Sequence, residues 1–306
     1  MKIRQNFHTH SHNSCDSACA LLEDIVSDMD ELGVVEYGLT DHIHTLYNLP
    51  DLERSRQDYL SHHPSEHFHF GVEASCMDMR EIERIAAGDT SSNPVYGFRQ
   101  MTDFTGKMAI GVTEKEIRDL RIEFVVAGVH WPLTVSMDRA ELMENWLEQS
   151  LFLANHPLVD ILAHPWSSLD LAVAGWYKCM DDKHRDLSVF QEVPRDFVET
   201  LGEALVSQGK LAEVNLLSFK NTLEGESLLQ WMQVWKEQGV KFTFGTDIHT
   251  PRCDHGLFHA LEGKLTECGF TEEDFAIPKF RVFDNRIDEK SANRSCLNSQ
   301  PDGGHP

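Results

Sequence analysis

The chain has 306 residues, with 27 lysines and arginines against 50 aspartates and glutamates, giving a formal net charge of −23. Its 41% apolar and 25% charged residues read as an ordinary soluble globular protein, long enough for one large domain or two small ones. The acidity argues against a nucleic-acid partner, since a phosphate-tracking surface needs clustered Lys and Arg. No run approaches the roughly 18 apolar residues of a membrane helix, and the start lacks the apolar stretch of a secretory signal.

Seven short apolar runs are expected as strands, in chain order. The first ends at Phe7, the second runs Val34–Leu39 and the third Phe68–Val72. Then come Phe124–Val129, Val159–Ala163, Leu211–Asn215 and Lys241–Gly245. Buried parallel strands are expected to be short and almost continuously apolar. Helical spacing fills gaps at Ser17–Leu32, with Gly33 past its end, and at Arg139–Leu153, Pro194–Gln208 and Ser227–Gln238. Such alternation predicts an α/β fold with right-handed crossovers, led by a TIM-type barrel, with an open doubly wound sheet as the alternative. One barrel domain is expected over 1–283, with an insertion at about 74–122 holding helices and a turn-rich loop. The polar segment 284–306 is expected to be a disordered tail. The seven cysteines have scattered spacing and no CxxC pair, as expected for reduced thiols in a cytoplasmic protein.

The 17 histidines outnumber the lysines and the arginines. They and the carboxylates fall at the C-terminal ends of the expected strands, the edge where α/β folds build active sites. Strand one leads into His8 and His10, two into Asp41 and His42, three into Glu73, four into His130, five into His164 and seven into Asp247 and His249. His8 and His10 alternate on an extended segment, so both rings face one side, and Asp247 and His249 repeat that spacing. A set of nitrogen and oxygen donors without thiolates suits zinc, manganese or iron in a catalytic role.

These motifs, His8-x-His10, Gly38-Leu39-Thr40-Asp41-His42, Gly71-Val72-Glu73, Gly128-Val129-His130, Ala163-His164-Pro165 and Gly245-Thr246-Asp247-Ile248-His249, occur in an order that resembles the PHP (polymerase and histidinol phosphatase) superfamily. The resemblance covers about residues 3 to 255. It implies a distorted seven-stranded (β/α)7 TIM-like barrel with two or three divalent ions at its mouth. By it, His8, His10, Glu73 and Asp247 hold the first ion. Glu73 bridges to the second, completed by His130 and His164, and Asp16, His42 and His249 hold the third. Asp16 also fits an N-cap of the helix that follows it, and His12 competes with it as a ligand.

The implied activity is metal-assisted hydrolysis of a small phosphate ester, with histidinol phosphate as the leading specific substrate. Catalytic roles fall to Asp247, Glu73 and Asp41, where Asp247 or Asp41 relays a proton or Asp41 orients a histidine. Arg252 is the first choice for a phosphate clamp and Arg99 the second. His44 is expected near the ligands, without being one. A phosphodiesterase, a metal-dependent C–N bond hydrolase and a non-catalytic binding module remain the alternatives, and an oligomer is compatible with all of them.

Overall fold

The computed structural model describes residues 1–16, 18–97, 106–133, 139–165, 193–220 and 222–283. All seven expected strands form, joined by parallel pairing: β1 (Gln5–Asn6), β2 (Glu36–Leu39), β4 (Phe68–Asp78), β6 (Phe124–Gly128), β7 (Ile161–Leu162), β8 (Leu211–Asn215) and β9 (Lys241–Gly245). Register steps around the sheet through Leu39 opposite Phe70, Glu73 opposite Val126, Leu162 opposite Ala212 and Asn215 opposite Gly245. The seam between first and last strands is closed by Phe7 N–H donating to Phe244 O at 2.9 Å, and the Asn6 amide is tied to Thr246 Oγ1 at 2.8 Å. The result is an α/β TIM-like barrel of seven strands, with all parallel C-terminal ends at one mouth.

The third strand departs from expectation. It runs eleven residues, every one buried, six beyond the expected end. The extra length pairs with two short strands, β3 (His42–Ile43) in parallel and β5 (Met108–Ile110) antiparallel. The insertion at 74–122 therefore contributes sheet as well as helices. It carries α3 (Met79–Ala86) and α4 (Glu114–Asp119), each capped by a side chain, Asp78 and Thr113.

Helices pack outside the barrel. The first, α1, spans Leu22–Leu32 and buries Leu22, Ile25, Met29 and Leu32 at helical spacing. It ends at Gly33, whose left-handed φ of 69° lets its N–H reach the last carbonyls. It starts five residues later than the pattern suggests, so Asp16 is not its N-cap. The other three expected helices form as α5 (Arg139–Asn155), α6 (Arg195–Gln208) and α7 (Thr222–Gln238). Two more escaped the pattern, α2 (Leu49–Ser61) and α8 (His255–Glu267). In α2 only Leu52, Ser55 and Tyr59 are buried, a stripe too narrow and too polar to show as an apolar period. Among the described residues no helix is long and apolar enough to cross a membrane.

Two apolar clusters result. The larger fills the space between sheet and helices, and the smaller fills the barrel interior beneath the mouth with Phe7, Phe124, Val126, Ile161, Ala163 and Leu211. The far end of the barrel is covered by the segment after α8. There Phe280 stacks on His69 at 3.7 Å, and Arg281 bonds Asp160 at 2.6 Å and the Leu158 carbonyl at 2.7 Å. The expected tail, 284–306, lies outside the described residues. Phe124 is fully buried at the centre of the interior plug, so Phe124→Ala is expected to cost about 3–5 kcal/mol. Urea unfolding checks this.

Candidate metal centre

Glu73 sits midway along β4 with no exposed surface, pointing into the mouth. Its Oε2 lies 2.9 Å from His8 Nε2, 3.3 Å from His10 Nε2 and 2.8 Å from His42 Nδ1. Its Oε1 lies 3.0 Å from His130 Nε2 and 2.9 Å from His164 Nε2. One carboxylate thus faces five imidazoles. Asp247 Oδ1 joins the first side, 3.2 Å from His10 Nε2 and 3.5 Å from His8 Nε2. On the outer side Asp16 Oδ2 lies 2.6 Å from His249 Nε2 and 3.1 Å from His42 Nε2.

Among the described residues, four groups at the mouth have donor atoms within 4.8 Å of one another: His8, His10, Glu73 and Asp247; Glu73, His130 and His164; His10, His42 and His249; and His42, His44 and His130. Within the first group the separations of 2.9–3.5 Å are those of atoms around an ion held at about 2.0–2.2 Å. His8 Nε2, both ring nitrogens of His10, His42 Nδ1 and Glu73 Oε2 are sealed from solvent without a well-directed hydrogen bond. Buried polar atoms normally have partners; apart from His10 Nδ1, these nitrogens converge on Glu73 Oε2, where a divalent ion would satisfy them.

Residues beyond the expected set aim the rings. Glu213 Oε1 accepts from His8 Nδ1 at 2.6 Å, leaving His8 Nε2 to face the centre. Its Oε2 accepts the His164 N–H at 2.5 Å, on a residue with a positive φ of 24°. Ser75 Oγ sits 2.8 Å from His130 Nδ1 and 2.7 Å from His44 Nδ1. If His130 donates to Ser75 and Ser75 to His44, His130 Nε2 is left as the lone-pair donor. His249 Nδ1 is fixed on the Asp247 carbonyl at 2.9 Å, and Asn215 Nδ2 donates to Asp247 Oδ2 at 3.2 Å.

Two glycines make room. A β-carbon on Gly245 would lie 1.8 Å from Glu213 Oε1 and 2.6 Å from His8 Cβ, and one on Gly128 would lie 2.5 Å from His164 Cε1. Both stand just before site residues, which gives the motif glycines a steric reason.

Other expected roles are redistributed. Asp41 contacts no ligand ring; it accepts Ser11 N–H, Ser11 Oγ and Ser55 Oγ, each at 2.6 Å, tying the chain after His10 to α2. Burial pushes its carboxyl up. His12 is turned outward, 42% exposed and 3.7 Å from Asp58. Arg252 pairs with Glu31 and touches His255 Nδ1 at 3.1 Å, not the central cluster, so this arrangement does not make it a phosphate clamp. Arg99 lies outside the described residues. His44 is buried against His42 and beside Ser75, and burial and the neighbouring rings of His42 and His130 hold its pKa well below the usual value. Trp131 is buried against His44.

Charge is finely opposed here. Burial disfavours charge on every group, yet His42, His8 and His130 hold Glu73 well below the ordinary carboxylate range. Asp16, bonded to His249 and His42, is held down as well, and so is Asp247 by His8 and His10. Burial is likewise overcome at His42, raised to about 10 by Glu73 and Asp16, and at His8, raised by Glu213 and Glu73. Burial wins at His130, lowered to about 4.

No family model matches the chain, and no curated protein matches it in sequence. Solved structures do match. The histidinol phosphate phosphatase HisK of Lactococcus lactis, complexed with zinc, L-histidinol and phosphate, aligns over 89% of this chain and 95% of its own, at 18% identity and a TM-score of 0.60. A HisK histidinol phosphatase candidate from Listeria monocytogenes aligns over 81% and 96%, at 13% identity and 0.53. The chain shares their fold.

Metal binding must displace the protons that His8 and His42 retain above their ordinary pKa. Affinity is therefore expected to rise with pH until the rings lose their protons, near 10 for His42, roughly tenfold per pH unit for each proton released. Calorimetry in buffers of different ionisation enthalpy reads that release. Glu213→Gln is expected to weaken binding about 10–100-fold, checked by competition with a chelator.

Proposed function

We propose that the chain is a metal-dependent phosphatase of the PHP type, acting on a small phosphate ester. The observation that carries the reading is Glu73, whose two oxygens face one donor group holding His8, His10 and Asp247 and another holding His130 and His164. That division fits a carboxylate shared by two ions. Asp16, His42 and His249 are the ligands proposed for a third, drawn like the others from zinc, manganese or iron. When bound, the ions would activate water and neutralise phosphoryl oxygens.

The chain's own residues supply the rest. Glu213, Ser75 and the Asp247 carbonyl hold His8, His130 and His249 with Nε2 toward the centre. Asn215 steadies Asp247. Asp41 braces the segment that follows His10 and is assigned no proton transfer. His249, at 33%, is the most exposed of the proposed ligands, so the ester enters on its side. A cleft of about 710 Å³ lined in part by Ser14, Cys15, Tyr47 and Arg54 lies near that edge, with Ser14 Oγ accepting the His42 N–H. It offers room for the organic part of a small ester. Histidinol phosphate is the leading substrate, because the Lactococcus structure holds L-histidinol and phosphate on the same fold.

The test is phosphate release from a panel of monoesters and diesters that includes histidinol phosphate, with added Mn²⁺ or Zn²⁺ and a chelator-stripped control. The expected result is chelator-sensitive release from one small monoester. Asp247→Asn should lower kcat/KM by more than the roughly 100-fold typical of an outer supporting residue, with an unchanged circular dichroism spectrum. Cleavage of diesters alone would move the reading to a phosphodiesterase. Turnover that survives chelation, or full activity in Asp247→Asn, would overturn the metal assignment.

A further inference from the structure

A second group of donors lies on the outer side of the β9–α8 connection. Asp28, on the inward face of α1, is 3% exposed. It accepts the Cys253 N–H at 3.1 Å and bonds His255 Nε2 at 2.6 Å. One carboxylate oxygen, the sulfur and a ring nitrogen all lie within 4.8 Å of one another. No residue of this group belongs to the Glu73 cluster. Cys253 and His255 are partly exposed, so an ion has a way in.

The donor chemistry differs from that of the mouth. There every donor is nitrogen or oxygen. Here a thiol, an imidazole and a buried carboxylate converge, the mixture that favours borderline-soft cations over magnesium or calcium. We propose that Asp28, Cys253 and His255 form a separate, thiolate-containing site for a zinc-class divalent ion.

The proton balance is simple. The Cys253 thiol gives its proton to solvent as its sulfur bonds the ion. His255, whose Nδ1 faces Arg252, exchanges its Nε2 proton for one on Nδ1, freeing Nε2 for the ion. Arg252 then keeps only its existing pair with Glu31. Asp28 exchanges its hydrogen bonds for a bond to the ion. Bound there, the ion fastens α1 to the connection that begins with Asp247 and His249. A tie between these segments already exists, since the Cys19 N–H donates to the His249 carbonyl at 2.8 Å.

The probe is Co²⁺ titrated into the metal-stripped full-length chain and followed by absorption. Thiolate ligation gives an intense near-ultraviolet charge-transfer band that nitrogen and oxygen ligands do not. The band is expected in the wild type and in Asp247→Asn, and is expected to vanish in Cys253→Ser and His255→Gln. Zinc stoichiometry should fall by one ion per chain in those two variants. Serine keeps a hydroxyl that can donate to Asp28, and thermal melting checks that the variant is folded; should it fail to fold, His255→Gln carries the test. Cys15→Ser and Cys19→Ser, near the mouth, should retain the band. A wild type without the band, or a band that survives in Cys253→Ser, would overturn the proposal. No phosphate ester enters the experiment, so its outcome is separate from that of the phosphatase reading.

Discussion

A carboxylate with no exposed surface surrounded by five imidazoles is the constraint on which this molecule is organised. Glu73 cannot be buried alone: a lone buried charge costs several kcal/mol unless opposite charge is brought to it. Protons on the rings supply that charge, and divalent ions held by the same donors would supply it in their place. The eleven-residue β4, buried throughout and flanked by β3 and β5, is the length of sheet needed to hold Glu73 in place and Ser75 two residues on, facing the same way.

Around this centre the architecture divides its work. Below the mouth, Phe7, Val126, Ile161 and Leu211 make a buried apolar floor. Above it, backbone conformations that few residues tolerate are kept by hydrogen bonds. Asp247 has a φ of 53° while its N–H donates to the His8 carbonyl at 2.9 Å, and His164 is pinned by Glu213. Strain of this kind persists where surrounding contacts fix it, and it is commonly found at functional positions.

Much of this was legible in the sequence, for physical reasons. Parallel strands are short and apolar, so seven could be counted, and residues that end such strands face a common mouth. That is why the sequence alone groups His8, His10, Glu73, His130, His164, Asp247 and His249. What escaped depended on contacts between distant segments. Glu213 sits inside an apolar strand and reads as an anomaly; only the barrel brings it beside His8, 205 residues away. Its alternation with Asn215 at a strand end was the available signal. Ser75 is an ordinary serine until two histidines flank it. Arg252 looked placed for a phosphate because it follows His249 closely, but the chain turns its guanidinium to Glu31. Asp41 was read as a partner of a histidine because of its neighbour, while its hydrogen bonds go to two serines.

The closing seam carries a kinetic consequence. Phe7 pairs with Phe244, and the ligands on either side of that seam stand more than 230 residues apart in sequence. During synthesis His8 and His10 are made well before Asp247, the carboxylate after β9 that completes their group. The first donor group therefore cannot assemble until the last strand has docked, so capture of an ion there would coincide with barrel closure. Long-range closure of this kind is slow on topological grounds. An ion that binds only the closed form draws the equilibrium toward it by mass action, leaving the metal-free chain the most exposed to misfolding at that step.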